Sequence, residues 1–318
     1  RPNILFLLSD EHAYRYLSAR SAQDGGEPCH TPTLDSLIEQ GAHLSTAYCS
    51  MPLCTPSRIS MLCGRHSHHC GAWGNASILD PQLPTFASHL SQNGYATCTV
   101  GKMHLGGALQ HAGFQARPYG DFGGPCGHQS DPLRHYRNDA DSLRQRTFDA
   151  GISEVPESLL QEHMVVRQST AWLREQRHAH PNQPWLLLAS FSRPHFPLTA
   201  PRRFFERYYP QGVTPPRVAR SGDAQNHPMT TGAVAGFRTD EIAAAGGTRR
   251  ERSGAIRPRR AASPSGRSST EAGKTSETCF AINSSVAVMP IKRGSGRLRM
   301  EALVFSPSAV CASSQITS

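Results

Sequence analysis

Continuous apolar runs alternate with amphipathic stretches along the chain. Asn3-Ile4-Leu5-Phe6-Leu7-Leu8 is apolar almost throughout, and so is Trp185-Leu186-Leu187-Leu188-Ala189-Ser190. Unbroken runs of this length suit strands buried on both faces, as in a parallel sheet. Tyr95 to Val100 is rich in β-branched residues and predicts another strand, and His43 to Tyr48 a short returning one. Helical patterns lie between them. Thr33 to Gln40 follows Thr31-Pro32, carries Leu34, Leu37 and Ile38 on one face, and stops at Gly41. A second helix opens at Cys54, has Pro56 in its first turn and Ile59 and Leu62 as its apolar stripe, and ends at Gly64. Thr85 to Asn93 predicts a third, closed by Gly94. Glu157 to Arg177 is the longest, with Leu160, Met164 and Ala171 on a shared face. Strands alternating with helices predict an α/β fold with a mostly parallel central sheet flanked by helices.

Polar residues gather where these strands end. Asp10, Glu11 and His12 follow the first strand, Lys102 and His104 follow Tyr95–Val100, and His195 follows the Trp185 strand between Pro194 and Pro197. The carboxyl ends of strands are where open α/β sheets bind ligands. Lys102 and His104 are two apart, so on an extended chain they point the same way. A cation and an imidazole aimed at one spot neutralise an anionic ester and protonate a leaving oxygen. Cys54 sits where helix N–H groups and the helix dipole favour an anion, and Arg58 is one turn further on. Asn75, in the loop Gly71-Ala72-Trp73-Gly74-Asn75, is a candidate substrate contact or a turn residue. Arg65-His66-Ser67-His68-His69-Cys70 fits no common zinc spacing, so a polar loop is expected there.

Two of these stretches carry a family resemblance. Cys54-Thr55-Pro56-Ser57-Arg58, followed by an apolar turn and Gly64, resembles the first signature of the sulfatases. Gly94-Tyr95-Ala96-Thr97-Cys98-Thr99-Val100-Gly101-Lys102-Met103-His104 resembles their second signature along its whole length. Strand Trp185–Ser190 with Pro194-His195-Phe196-Pro197 is similar to the third active-site element. The resemblance implies an alkaline-phosphatase-like fold over about residues 2 to 217. It implies that Cys54 is oxidised to formylglycine by a formylglycine-generating or anaerobic maturating enzyme, and that Arg58, Lys102, His104 and His195 act in catalysis. Lys102, His195 and Asn75 would contact the substrate. Asp10, Glu11 and the oxygen made at Cys54 would hold a divalent metal, expected to be calcium, with magnesium or manganese as alternatives. Gln110 to Phe114 and Asp121 to Gly124 lie where related sulfatases vary with substrate, in an arrangement similar to choline-sulfatase-like members. The expected substrate is a small sulfate ester or sulfated sugar. A phosphonate or phosphate ester hydrolase on the same scaffold is the alternative enzyme, and an inactive truncated relative the alternative to both.

Composition then changes the picture at one place. The formal charge is +9 over 318 residues, but Val218 to Ser318 holds fourteen Lys and Arg against seven Asp and Glu, leaving +2 in the first 217. A nearly neutral main body argues against a nucleic-acid partner. Beyond Val218 the chain is rich in Arg, Ser, Ala and Gly, has no Trp or Tyr, and keeps Phe only at 237, 280 and 305. Two domains are therefore expected: residues 1–217 as the N-terminal part of a sulfatase catalytic domain, and 218–318 as a largely irregular tail, either disordered or the product of a frameshift. The sulfatase resemblance implies a late Asp-His or Asp-Asn pair that completes the metal site; the tail has none, so a truncated site is expected. Nine Cys, an odd number without a C-x2-C pair, argue against a disulfide framework. No apolar stretch reaches the roughly 18 residues of a membrane span. With no visible signal peptide, a cytoplasmic location is favoured over an exported one.

Overall fold

The structure, a computed structural model, describes residues 1–121, 150–196 and 198–213, and the backbone of three strands at 285–294, 297–300 and 303–305. The chain forms two units. One comprises Arg1–His135, Val155–His195 and Ala281–Ser318, the other Tyr136–Glu154 and Phe196–Phe280. In chain order the strands are β1 (Asn3–Asp10), β2 (Ala42–His43), β3 (Ala96–Gly101), β4 (Gly151–Ile152), β5 (Trp185–Pro194), β6 (Thr199–Ala200), β7 (Ser285–Gly294), β8 (Arg297–Met300) and β9 (Leu303–Phe305). The helices are α1 (Pro32–Gln40), α2 (Cys54–Cys63), α3 (Phe86–Gln92), α4 (Gln161–Ala179) and α5 (Arg202–Tyr208).

The first unit is built on one sheet in the order β2-β9-β7-β1-β5-β3, with β8 beside β7. Its centre is parallel, as the apolar runs predict. Leu187 of β5 stands between Leu5 of β1 and Cys98 of β3. The core explains why these runs show no polar alternation. Leu186 and Leu188 pack with Phe6, Leu8, Ile59 and Leu62 on one face of the sheet. Leu187 and Ala189 pack with Cys98, Val100 and Val165 on the other. Helices cover both faces, so successive residues Leu186 to Ser190 of β5 are all buried. Truncating one such Leu to Ala costs about 2–5 kcal/mol.

Several elements differ from the sequence expectation. The strand expected over His43 to Tyr48 is only Ala42–His43. Residues Glu157–Leu159 form a 3-10 turn ahead of α4, because Leu160 is extended and starts the helix at Gln161. Helix α5 was not signalled by any periodicity. Three further strands, β7, β8 and β9, lie within the tail, with β7 antiparallel to β1 from Asn3↔Ile291 to Ser9↔Ser285. Val286 to Ile291 is a short apolar run inside polar sequence, and β1 would otherwise present an unpaired backbone edge.

Local devices fix the ends that matter. Thr85 and Ser88 cap α3 reciprocally, each hydroxyl accepting the other's backbone N–H at 3.0 Å. Gly101 ends β3 at φ +96°, and a Cβ there would lie 2.0 Å from the Ser190 carbonyl oxygen. Only glycine lets β3 pass β5 so closely before Lys102. In the second unit, β4 pairs parallel with β6. The six cysteines among the described residues are free thiols. No helix among the described residues is long and apolar enough to cross a membrane.

Candidate active site

The carboxyl ends of β1, β5 and β3 lie side by side and carry the polar residues that the sequence placed there. β1 and β5 lose register between Ser9 and Asp10. Such an irregularity re-aims the side chain that follows it. Asp10 is 1% exposed. Its carboxylate is ion-paired with Lys102 Nζ, and Oδ2 lies 3.5 Å from Arg58 Nη2.

Arg58 ties the three strand ends to α2. It is 3% exposed. Nη1 donates to the Lys102 carbonyl at 2.6 Å and to Ser190 Oγ at 3.1 Å, while Nη2 faces Asp10. One guanidinium thus touches residues from the ends of β1, β3 and β5. Its planar fork makes several directed contacts that a Lys could not. Four residues earlier on α2, Cys54 is buried at the first position of the helix. Asp10, Cys54 and His195 each offer a ligand atom, and these atoms lie within 4.8 Å of one another. His195 Nε2 also stands 3.8 Å from Glu11 Oε2.

The remaining expected residues are placed differently. Lys102 and His104 do not alternate along an extended strand: His104 has φ +51°. The turn is held from both sides. Thr55 Oγ1 donates to the His104 carbonyl at 2.7 Å, and the His104 N–H donates to Asp121 Oδ2 at 2.8 Å. His104 Nδ1 is buried without a hydrogen-bond partner among the described residues. Asn75 lies beside the site, but its side-chain oxygen accepts the Thr55 N–H at 3.1 Å, satisfying one open donor at the start of α2. His66, His68 and His69 contact one another ring to ring on a surface 3-10 turn, with centroids 4.1–6.2 Å apart. Ser190, Thr55 and Asp121 are site residues that sequence reasoning missed. Each had a trace without a role: Ser190 ends an apolar run, Thr55 stands in the first signature, and Asp121 opens the stretch expected to vary with substrate.

The electrostatics follow from burial and neighbours. Burial alone would raise the Asp10 pKa, but Arg58 and Lys102, helped by His195, hold it at about 2. Glu11 goes the other way: burial and the adjacent Asp10 charge push it up to about 7. Burial raises the Cys54 thiol, and Asp10 adds to this, while Lys102 and Arg58 act the other way. Cys54 is therefore no activated thiolate at neutral pH. Burial and the Lys102 charge lower His104.

A divalent cation fits one side of this site. Asp10 and Glu11 are adjacent acids whose mutual repulsion a cation would relieve, and position 54 with His195 closes the group. Hard divalent ions take about six or more oxygen ligands. The described residues provide part of such a shell.

Comparison with known proteins agrees with this geometry. The sulfatase family model matches residues 2–248. Uncharacterized sulfatase YidJ of Escherichia coli is 28% identical over 216 residues, covering 65% of this chain and 41% of that protein. Choline-sulfatase of Rhizobium meliloti is 30% identical over 220 residues, again 65% of this chain and 41% of that protein. The chain thus spans about two fifths of the length of these curated relatives. Among solved structures, the phosphonate monoester hydrolase of Agrobacterium radiobacter superposes with a TM-score of 0.57 at 20% identity, covering 74% of this chain and 49% of that one. That likeness supports the alkaline-phosphatase-like fold. The family match reaches beyond Arg217, where the motif resemblance ends. With both signature stretches folded around Asp10, the chain belongs to the sulfatase family.

Proposed function

We propose that this site hydrolyses a sulfuric ester, with residue 54 as nucleophile after oxidation of Cys54 to formylglycine. The observation that carries this reading is the convergence of Cys54, Arg58, Lys102, Asp10 and His195 at three strand ends, in a chain of the sulfatase family. The raised thiol pKa supports the oxidised form, since an unmodified Cys54 is a neutral, poorly nucleophilic thiol here. Formylglycine supplies, once hydrated, a hydroxyl oxygen for covalent catalysis. A divalent cation held by Asp10 and Glu11 would supply a Lewis acid for the ester's oxygens.

The chain's own residues do the rest. Arg58 and Lys102 bring two positive charges beside residue 54, where the negative charge of a sulfate group must be met. Lys102, with its flexible stem, can leave Asp10 for an incoming anion. His104 and His195 are the imidazoles available for protonating the leaving oxygen. Burial and the Lys102 charge favour the neutral His104 imidazole, and an anion bound beside it would favour the protonated form. The substrate class we assign is a small sulfate ester or sulfated sugar, with a maturating enzyme as the protein partner.

The test is co-expression of the full chain with a formylglycine-generating enzyme, mass spectrometry of the Cys54 peptide, and assay with aryl sulfate and aryl phosphonate monoesters in parallel. The expected result is loss of the thiol, gain of an aldehyde, and sulfate turnover that Cys54→Ala abolishes. An aldehyde-bearing protein that releases no more sulfate than Cys54→Ala would overturn the proposal. Faster phosphonate turnover would reassign the substrate.

A further inference from the structure

The turn that carries Lys102 and His104 is held by a side chain outside both signature stretches. Asp121 Oδ2 accepts the Met103 N–H at 3.0 Å and the His104 N–H at 2.8 Å, and Oδ1 lies 3.2 Å from the same Met103 nitrogen. Asp121 Oδ2 also takes a donor from Arg117 Nη2 at 2.8 Å. The Arg117 side chain is fully buried, and that of Asp121 is 12% exposed. Arg117 is anchored in turn, its Nη1 donating to the Gln110 carbonyl at 2.6 Å and to Gln110 Oε1 at 2.9 Å.

We propose that Asp121 is a positioning residue for the reaction assigned above: it acts through the Met103 and His104 backbone to aim Lys102 and His104 at the site. Three observations converge on this. First, His104 sits at φ +51°, a conformation that a residue with a Cβ adopts at a cost. A neighbouring structure must impose it. Second, the N–H groups that this turn frees point inward and need an acceptor, and a carboxylate accepts several donors at once. Third, the His104 carbonyl is bound from the opposite side by Thr55 Oγ1, next to Cys54. The peptide units around His104 are thus clamped between the start of α2 and Asp121. Release of the Asp121 side frees the turn while leaving Lys102 and His104 chemically intact. The segment from Asp121 resembled a place where relatives vary with substrate, yet this carboxylate faces the backbone of the site.

The test uses the full chain, with Asp121→Ala and Asp121→Asn. Alanine removes every acceptor. Asparagine can keep an oxygen in the Oδ2 position but brings an N–H toward Met103. Hydrogen exchange at the Met103 and His104 amides is expected to quicken by about tenfold or more in Asp121→Ala and less in Asp121→Asn, with α4 unchanged. In matured protein, kcat for an aryl sulfate is expected to fall about tenfold or more in Asp121→Ala, although Lys102 and His104 are themselves unaltered. Unchanged exchange at these amides would overturn the proposal, and so would quickened exchange with unaltered kcat. Loss of protection throughout α4 in both variants would assign Asp121 to global stability and also overturn it. If matured wild-type protein turns over no sulfate ester, the reaction assigned above fails and takes with it Asp121's part in that reaction. The exchange arm then still decides whether Asp121 holds the turn.

Discussion

Lys102 meets Asp10 as a buried ion pair across the end of β5, the strand that separates their own two strands. Removing one partner of such a pair strands the other charge in a poorly solvated place, at a cost of about 3–5 kcal/mol. Lys102→Met alone is therefore expected to lower the urea midpoint clearly, although Arg58 still faces Asp10. In a double-mutant cycle, Asp10→Asn should cost less in the Lys102→Met background than in wild type, although it leaves Arg58 without its carboxylate. Turnover by the matured protein should fall by about 100-fold or more in Lys102→Met and not recover in the double variant. Additive losses of stability in the two single variants would show that the pair is not coupled.

Asp10 also gives stability a defined pH dependence. Its pKa is lowered from 3.8 to about 2 in the folded chain. The unfolded chain then holds the proton more tightly, so this contribution is complete above about pH 4 and disappears as pH falls through 2. A shift of this size corresponds to about 2 kcal/mol. Wild type should exceed Asp10→Asn in unfolding free energy at pH 5, and the gap should close toward pH 2. A gap that stays constant between those values would count against the ion-paired Asp10.

Glu11 acts with the opposite sign. Its pKa is raised from 4.5 to about 7 by burial and by Asp10. Stability linked to its neutral form is complete below about pH 4.5 and lost as pH rises through 7. Glu11→Gln should remove this loss, so that the variant gains on wild type between pH 5 and pH 8 in metal-free buffer. A divalent cation should narrow the difference by stabilising the charged carboxylate. Thermal unfolding at the two pH values, with and without calcium, measures both effects. Identical pH slopes for the two proteins would exclude a buried, repelled Glu11.

What could be read from the sequence follows from what burial does to composition. β1 and β5 are covered on both faces, so they appear as unbroken apolar runs, and polar residues gather toward their carboxyl ends. Asp10, Lys102 and His195 were found because they follow such strands within stretches that resemble the family's active-site elements. Arg58 and Cys54 were found because four residues on a helix bring two side chains to one face. The rest depends on contacts between distant segments. Thr55 and Asn75 meet because a loop folds back over α2, and Asp121 reaches His104 because the chain returns along β3. Neither leaves a period or spacing. The left-handed His104 was misread as extended because its conformation is imposed by Asp121 and Thr55. β7 was missed because its apolar run is short, and it becomes a strand through the edge that β1 offers.

The thiol of Cys54 tests the electrostatics of the site before any maturation. Alkylation needs the thiolate, and burial together with Asp10 disfavours it, while Lys102 and Arg58 favour it. At pH 7.5, carbamidomethylation of Cys54 in the native chain should be slower than in the urea-unfolded chain. Access alone could produce that result, so two near-isosteric variants supply the decisive comparison. Asp10→Asn removes a negative neighbour and should speed the reaction. Lys102→Met removes a positive one and should slow it further. Each unit of thiol pKa changes the thiolate fraction about tenfold, so changes of severalfold are within reach of quantitative mass spectrometry. A site that merely loosens on mutation would react faster in both variants. Opposite signs would show that Cys54 shares one field with Asp10 and Lys102, as a nucleophile position beside an anion site requires.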